Sequence, residues 1–338
     1  MPKVELHLHL EGAIPQPALW HLVEEHGGDP DVATPAELLD RFAYIDFAHF
    51  IDTWVWKNRF LNTYEAFEFA AAAVARHLAE QHIVYAEAFF SPSDFGQYAL
   101  APAELAMAIR RGLDQVAETE IALIVDLVRD TGPDRATRTL DQVAESAAAA
   151  GVIGVGIGGS EAEYPPQLFT TVYRRASNLG FRLTAHAGEA AGAPSVWGAL
   201  RSLEVERIGH GVRSVEDPTL VRRLVDRQTP LETCPTSNLR TGVVSGWDAH
   251  PVRELIEVGA MVTVNTDDPA MFHCSLAGEY NALVEKFALG DAAVRRVAGN
   301  AIDASWASDD TRRRLHQLQD AWWEGCDRRD GPGSQNRD

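Results

Sequence analysis

Short runs of apolar or alternating residues recur along the chain, and most of them are followed by a stretch with helical periodicity. Eight runs are strand candidates: Lys3–Leu8, Ile83–Phe90, Ile121–Val128, Val152–Ile157, Arg182–His186, Arg207–Gly209, Pro230–Thr233 and Met261–Asn265. Strands that alternate with helices indicate βαβ units and a parallel sheet. Eight such units predict an α/β fold of the (β/α)8 TIM-barrel type.

Proline and glycine mark several helix ends between these strands. Asp217 followed by Pro218 is typical of a helix N-cap with proline at the first helical position. Pro102 opens an apolar-periodic run, and a helix that begins at Pro251 would end before Gly259. Helices are therefore predicted where a barrel requires them.

The first crossover is unusually long, since about seventy residues separate the first two strand candidates. Most connections are much shorter. Helix-like segments at 17–25 and 47–60 predict a helical insertion between strand 1 and strand 2, near the barrel mouth. A single domain is expected over residues 1–327, and the polar segment 328–338 is predicted to be a disordered tail.

The composition restricts the kinds of molecule that the protein is expected to bind. The formal net charge of the 338 residues is −19, which disfavours binding to nucleic acid or to an anionic membrane. The three cysteines, Cys234, Cys274 and Cys326, form no close pair, as expected in a reducing cytoplasm. Neither a signal peptide nor a membrane span is predicted. The oligomeric state is not indicated.

The pattern His7-Leu8-His9 ends the first strand candidate. Alternation along a strand places both imidazoles on one face, toward the barrel interior. Two neutral nitrogen donors side by side suit zinc. Two core or surface histidines are the alternative, but the position just before Glu11-Gly12, where the strand ends, favours a metal site.

Two further histidines end strands five and six. In His186-Ala-Gly-Glu189, the glutamate could deliver a proton to a bound substrate, or it could cap the next helix. His210 lies between two glycines, which let other groups approach its ring closely. Taken alone, either histidine could be structural.

Strands four and eight end in other unusual sequences. The adjacent carboxylates of Asp267 and Asp268 need a cation or proton donors to stay ionised together, unless they only cap the following helix. The glycine-rich segment 154–159 lacks the spacing of a dinucleotide-binding loop. A close approach of its backbone to a flat ligand is the better interpretation.

All five groups fall at the carboxyl ends of predicted strands, where barrel enzymes build their active sites. Together they supply enough nitrogen and carboxylate donors for one open zinc site, with groups left for proton transfer. None of the lysines, Lys3, Lys57 and Lys286, ends strands three to five, where many two-metal barrel hydrolases carry a bridging lysine. One metal ion is therefore expected.

In order along nearly the whole chain, these motifs resemble the adenosine/AMP deaminase family of amidohydrolases. The matching segments are Glu5-Leu-His-Leu-His-Leu-Glu-Gly12, Tyr85-Ala-Glu-Ala-Phe-Phe-Ser-Pro92, His186-Ala-Gly-Glu189, Gly209-His-Gly211, Cys234-Pro-Thr-Ser-Asn238 and Asn265-Thr-Asp-Asp-Pro269. The resemblance implies one Zn²⁺ per chain, which would activate a water molecule. Its implied ligands are His7, His9, His186 and Asp267.

The same resemblance implies roles for the remaining groups. His210 would orient the water and take its proton, and protonated Glu189 would give a proton to N1 of the purine ring. Asp268 would bond to N7 and to the attacking water. The backbone N–H of Gly159 would meet N3, and the 6-amino group would leave as ammonia.

Substrate choice is less sharply indicated. Glu11 stands near the sugar position, where adenosine deaminases often have aspartate, and Phe89 stands where they often have arginine; both features also fit adenine deaminases. Phe47, Phe50, Ile51 and Trp54 have helical spacing typical of core packing. By resemblance, Phe50, Ile51 and Trp54 match an apolar gate over the substrate. A bulky gate could admit a modified nucleoside.

The predicted function is therefore zinc-dependent deamination of adenosine or a close adenosine derivative. The alternatives are an adenine deaminase, a deaminase of a modified nucleoside such as aminodeoxyfutalosine, and a non-catalytic purine-binding metalloprotein. Retention of Glu189, His210 and Asp268 disfavours the last, because a structural metal site needs only ligands.

Overall fold

Eight parallel strands form the centre of the molecule in a computed structural model that describes residues 1–44 and 47–330. Each strand pairs with the next one along the chain, from the first to the eighth. Their bounds are β1 Lys3–His9, β2 Ile83–Phe90, β3 Glu120–Asp126, β4 Val152–Gly156, β5 Arg182–Ala187, β6 Arg207–His210, β7 Leu231–Thr233 and β8 Val262–Val264.

Backbone contacts between β1 and the residues after β8 close the sheet into a barrel. Leu8 and Asp267 form a parallel bridge. The N–H of His9 donates to the carbonyl of Asp267 at 2.9 Å, and the N–H of Asp267 donates to the carbonyl of His7 at 3.0 Å. The predicted (β/α)8 barrel is confirmed, and its seam runs through three of the predicted metal ligands.

Helices surround the barrel. Within the described residues they are α1 Gln16–Glu25, α2 Pro35–Arg41, α3 Phe47–Asn58, α4 Tyr64–Glu80, α5 Pro102–Leu113, α6 Gly132–Ala144, α7 Ala147–Ala150, α8 Thr170–Asn178, α9 Ala193–Gly198, α10 Pro218–Arg227, α11 Pro235–Arg240, α12 Val252–Glu257, α13 Pro269–Phe272, α14 Leu276–Glu285, α15 Asp291–Ala304 and α16 Asp309–Asp330. Helices α1 to α4 fill the long first crossover, as expected.

Sequence signals located most elements to within a few residues. The side chain of Asp217 caps α10 by accepting the N–H of Thr219 at 2.8 Å. Strand β3 ends at Asp126, earlier than predicted, because the chain leaves the ladder and turns into a short 3-10 helix at Arg129–Thr131. A buried residue such as Leu127 continues the apolar pattern without continuing the strand.

The end of the chain only partly overlaps the predicted tail. Helix α16 continues to Asp330, so residues 328–330 are helical. Residues 331–338 lie outside the described part of the chain, and their predicted disorder stays a prediction. In the described residues, no helix combines the length and apolar character that crossing a membrane requires.

Candidate metal and catalytic site

The four predicted metal ligands meet at the carboxyl end of the barrel. The Nε2 atoms of His7 and His186 are 3.0 Å apart, and Nε2 of His9 lies 3.2 Å from Nε2 of His186. Oδ1 of Asp267 lies 3.3 Å from Nε2 of His9 and 3.5 Å from Nε2 of His7. All four side chains are almost completely buried.

These separations fit a divalent metal ion. Zinc–nitrogen bonds of 2.0–2.1 Å in a tetrahedral site place ligand atoms about 3.3 Å apart. Nδ1 of His7 faces a carboxylate oxygen of Glu232 at 2.9 Å, and Nδ1 of His186 faces the carbonyl of Ile157 at 3.2 Å. Because both partners are acceptors, Nδ1 of each neutral ring carries the proton and Nε2 presents its lone pair to the common point.

Charge at this point also favours a cation. Burial alone would lower the pKa of His7, but the carboxylates of Asp267 and Glu232 outweigh burial and raise that pKa to about 10. By contrast, burial lowers the pKa of His9 to about 4. The carboxylates therefore favour one positive charge at this point, and a bound metal ion would supply that charge in place of a second proton on His7.

His210 lies beside the four ligands. His7, His186, His210 and Asp267 form a second group whose ligand atoms lie within 4.8 Å of one another. Nε2 of His210 is 4.0 Å from Oδ2 of Asp267, however, and only 3.5 Å from Oε2 of Glu189. Distance alone thus favours His9 as the fourth ligand and places His210 next to the proposed acid.

Two site residues have a strained backbone. His210 has a φ of +59° and Asp267 a φ of +66°, in the left-handed region that side chains with a Cβ rarely adopt. Each such residue costs on the order of 1–3 kcal/mol, and such strain clusters at functional sites. The glycine before His210 is needed for space, because a Cβ on Gly209 would lie 2.8 Å from Cε1 of His7.

Glu189 follows β5 and is suited to donating a proton. Burial, followed by the charges of Asp267 and Glu161, raises the pKa of Glu189 to about 8. The carboxyl group is therefore mostly protonated at neutral pH. Its side chain remains 22% exposed, so the acid faces the open end of the barrel rather than the core.

The loop that carries Glu189 is held by Glu161, a residue that sequence reasoning missed. The Glu161 carboxylate accepts the backbone N–H groups of Gly188 at 2.6 Å, Glu189 at 3.1 Å and Ala191 at 2.9 Å. Glu161 itself is buried. Its position after the glycine-rich end of β4 was the only available signal.

Asp268 lies buried beside Asp267 with one oxygen unused. Its Oδ1 has no hydrogen-bond partner among the described residues. Burial and the neighbouring charge of Asp267 raise the pKa of Asp268 well above its usual value. Gly12 makes room for this carboxyl group, since a Cβ there would lie 1.7 Å from Oδ1 of Asp268. The free oxygen is available to a ligand.

Glu11 is fully buried, more deeply than a residue that contacts a sugar at the protein surface would be. Its Oε1 accepts the N–H of Ser91 at 2.9 Å, and Lys57 donates to its backbone carbonyl at 2.8 Å. Oε2 is buried with no partner in the described chain. Burial raises the pKa of Glu11 to about 7. Its contact with substrate stays a prediction.

Gly159 lies in the loop after β4 with a φ of +95°. A Cβ at this position would lie 2.2 Å from a carboxylate oxygen of Asp130, so both conformation and space require glycine. The loop is partly open to solvent. The predicted hydrogen bond from the Gly159 N–H to a purine is compatible with this position and stays a prediction.

The predicted gate residues lie on α3. Phe50 stacks on Phe272, with ring centroids 5.2 Å apart, and Phe272 ends the helix that begins next to Asp268. The indole N–H of Trp54 donates to Asp94 at 3.3 Å, and Ile51 is 41% exposed. The side chain of Phe47 lies outside the described part. An apolar face therefore borders the site, and its role as a gate stays a prediction.

A buried ion network inside the barrel was also missed. Arg207 lies 2.6 Å from a carboxylate oxygen of Glu87 and 2.6 Å from one of Glu232, and it stacks over the ring of Trp306. Glu232 thus links Arg207 to His7. Single charged residues inside short apolar strands gave no separate signal in the sequence.

Comparisons with known proteins find similar sequences along nearly the whole chain. The family model described as adenosine deaminase matches residues 2–322. An aminodeoxyfutalosine deaminase from Streptomyces avermitilis is 33% identical, over 93% of this chain and 89% of that protein. An adenine deaminase from Bordetella parapertussis is 35% identical, over 91% of this chain and 97% of that protein.

Solved structures show the same architecture. The crystal structure of an adenine deaminase from Arthrobacter aurescens superposes with a TM-score of 0.88 and 31% identity, covering 96% of this chain and 99% of that one. A Burkholderia ambifaria amidohydrolase with bound zinc also superposes with a TM-score of 0.88, at 27% identity, covering 96% and 91% of the two chains.

Proposed function

Since this chain belongs to the adenosine deaminase family and is a hydrolytic deaminase, we propose that it removes the 6-amino group of adenosine or a close adenosine derivative. The proposal rests on one observation: the proposed metal ligands and a candidate acid come together at the open end of the barrel. The Nε2 atoms of His7 and His186 meet Asp267 there, and Glu189, whose pKa burial raises to about 8, lies beside them.

We assign zinc as the metal and His7, His9, His186 and Asp267 as its ligands. Three imidazoles and one carboxylate form a donor set that zinc accepts readily, and the zinc in the Burkholderia ambifaria structure supports this choice. When bound, zinc would make a water molecule acidic enough to attack at neutral pH.

The residues around the metal site bind the purine ring, position the water and transfer protons. The Glu189 carboxyl group donates its proton to N1 of the ring, so negative charge does not build up there as water adds to C6. The Asp268 carboxyl group, whose pKa burial and Asp267 raise well above its usual value, donates from its buried oxygen to N7 and accepts from the attacking water. His210 holds that water beside Glu189. Over the reaction the water gives up two protons: one passes to the amino group, which leaves as ammonia, and the other restores the Glu189 carboxyl group.

The apolar face of α3 supports a substrate larger than free adenine. Phe50, Trp54 and the exposed Ile51 offer aromatic and aliphatic surface to a substituent that projects from the purine. The similarity to the Streptomyces avermitilis aminodeoxyfutalosine deaminase favours such a modified nucleoside.

Free adenine is the second candidate. The Bordetella parapertussis relative and the Arthrobacter aurescens structure are both adenine deaminases of similar identity and coverage. Glu11, buried with its carboxyl group bonded to the Ser91 N–H, leaves only one oxygen free for a sugar. This observation favours a smaller ligand.

A substrate panel tests the proposal. Ammonia release by the purified, zinc-loaded protein is measured with adenine, adenosine and aminodeoxyfutalosine at equal concentrations. We expect one of the nucleosides to have the highest kcat/KM. Fast turnover of adenine alone would overturn the nucleoside assignment. Tight purine binding without ammonia release would favour the non-catalytic metalloprotein.

A further inference from the structure

A chain of three hydrogen bonds leads from the backbone of α12 to the ring of His210. The N–H of Val252 donates to Nδ1 of His250 at 3.1 Å. Nε2 of His250 lies 3.3 Å from Oδ1 of Asn238, and Nδ2 of Asn238 lies 3.2 Å from Nδ1 of His210. All three side chains are buried.

The backbone end fixes the direction of every bond in the chain. A backbone N–H can only donate, so Nδ1 of His250 must present a lone pair. Burial lowers the pKa of His250 to about 4, and the neutral ring therefore carries its single proton on Nε2. That proton requires an acceptor, which must be the Asn238 carbonyl oxygen. The amide NH₂ is left to donate to His210.

We infer that His250 and Asn238 are positioning residues that hold His210 in the tautomer with its proton on Nε2. This inference rests on the proposed function for its catalytic meaning. His7 and His186 have the opposite tautomer, because an acceptor faces Nδ1 of each ring. The hydrogen-bond partner at Nδ1 thus determines the tautomer of each histidine, so identical side chains at one site have different roles.

The tautomer decides which histidine cannot bind the metal. A ring nitrogen that carries a proton has no lone pair to donate, so Nε2 of His210 is not a ligand despite its place in the second group. His9 remains as the third nitrogen ligand. Hydrogen-bond direction therefore supports the same ligand set as the distances.

The same tautomer gives His210 a donor role. Its Nε2 is buried and has no hydrogen-bond partner among the described residues. The N–H can therefore point at the attacking oxygen and favour its ionised form. Neutral His210 has no free lone pair on Nε2 with which to take the water's proton. The role predicted from the family resemblance is revised in this respect.

Asn238→Asp is the decisive variant. A carboxylate accepts from both neighbours, so the His210 proton should move to Nδ1 and the donor should be lost from Nε2. ¹⁵N NMR of protein labelled at histidine and loaded with zinc distinguishes the two tautomers, and a His210→Gln sample assigns the signal. We expect kcat to fall about 10²-fold, the loss typical of one missing transition-state donor, with KM within about threefold.

Asn300→Asp is the matched control. Asn300 also donates to a buried acceptor, the carbonyl of Val262 at 2.9 Å, but it does not contact His210. This variant should leave the His210 signals and the kcat unchanged. If Asn238→Asp does not fold, His250→Leu removes the donor to Asn238 and should give a mixture of tautomers.

The wild-type spectrum alone can overturn the inference. A zinc-loaded wild-type protein in which the His210 proton lies on Nδ1 would refute it, as would an Asn238→Asp spectrum with an unchanged tautomer. Failure of the proposed function is a separate outcome, because a wild-type protein without deaminase activity would still show its histidine tautomers.

Discussion

The carboxylate of Glu232 contacts two side chains, one on each oxygen. One oxygen faces Nδ1 of His7, and the other faces the buried guanidinium of Arg207. Arg207 keeps the pKa of Glu232 low despite burial. An ionised carboxylate behind a ligand histidine fixes the ring orientation and raises the basicity of the ring. If His7 is a ligand as proposed, the metal affinity should depend on Glu232, which does not itself bind the metal.

Glu232→Gln should therefore weaken metal binding by about 10- to 100-fold, the range found when such outer partners are removed. Competition with a chelator of known affinity measures the change. Glu87→Gln is the matched control, because Glu87 bonds to the same Arg207 but not to His7. Equal losses of affinity in both variants would attribute the effect to the ion network instead of to His7.

Glu189→Gln tests the acid. Glutamine has nearly the same shape but cannot give up a proton, so kcat should fall by about 10²- to 10⁴-fold. The bound metal, measured by atomic absorption, should stay at one ion per chain. Glu163→Gln makes the same change at an exposed position nearby and should keep full activity. An unaltered kcat in Glu189→Gln would remove its proposed role.

At the scale of elements, the loop after β5 depends on a carboxylate from the loop after β4. Three backbone N–H groups of residues 188–191 converge on Glu161. A carboxylate offers acceptors only, whereas an amide would turn an NH₂ group toward one of these donors. The position of Glu189 over the site is therefore set by a neighbouring βα unit.

Glu161→Gln should lower kcat by about tenfold with little change in KM, because a small misplacement of a catalytic group costs rate more than binding. Steady-state kinetics and metal analysis check this result, with Glu163→Gln again as control. A raised KM with unchanged kcat would mean that the loop positions substrate and not the acid.

Helix α3 carries the proposed gate residues. Phe50→Leu removes the aromatic stack on Phe272. If the helix borders the pocket, kcat/KM for the preferred nucleoside should fall about tenfold, about the value of an aromatic contact, while adenine turnover stays the same. Val55→Ala, at a 59% exposed position on the same helix, is the control. Parallel losses with both substrates would contradict a gate.

The elements predicted best from the sequence are strands that end in polar residues of the candidate site. Residues 83–90 combine an apolar run with a clear stop, and β2 has the same bounds. His7 and His186 lie near the ends of β1 and β5, and Asp267 follows β8, so the barrel topology alone brought them together. Glu161 and Asn238 could not be assigned in this way, since their partners are backbone groups and rings that are distant along the chain.

At the scale of the whole molecule, the proposed metal ligands join the first and last parts of the barrel. Strands β1 and β2 share a register of five residue pairs, whereas β1 meets the segment after β8 through the Leu8–Asp267 bridge. His7 and His9 lie on one side of this seam, and Asp267 lies on the other. A shared ion would therefore reinforce closure where the backbone pairing is shortest.

Metal removal should consequently both inactivate and destabilise the protein. At a free metal concentration 100 times the Kd, binding contributes about 2.7 kcal/mol, which is about 4 °C in Tm for a chain of this size. Calorimetry before and after chelation measures the shift, and added zinc should restore it. The Glu189→Gln variant should show the same shift, because the acid is not a ligand.

In hydrogen exchange, amides at the seam, such as those of His9 and Asp267, should lose more protection than the amides that pair β2 with β3. Uniform loss of protection across all strands, or an unchanged Tm after verified metal loss, would mean that the ion serves chemistry alone and does not hold the barrel closed.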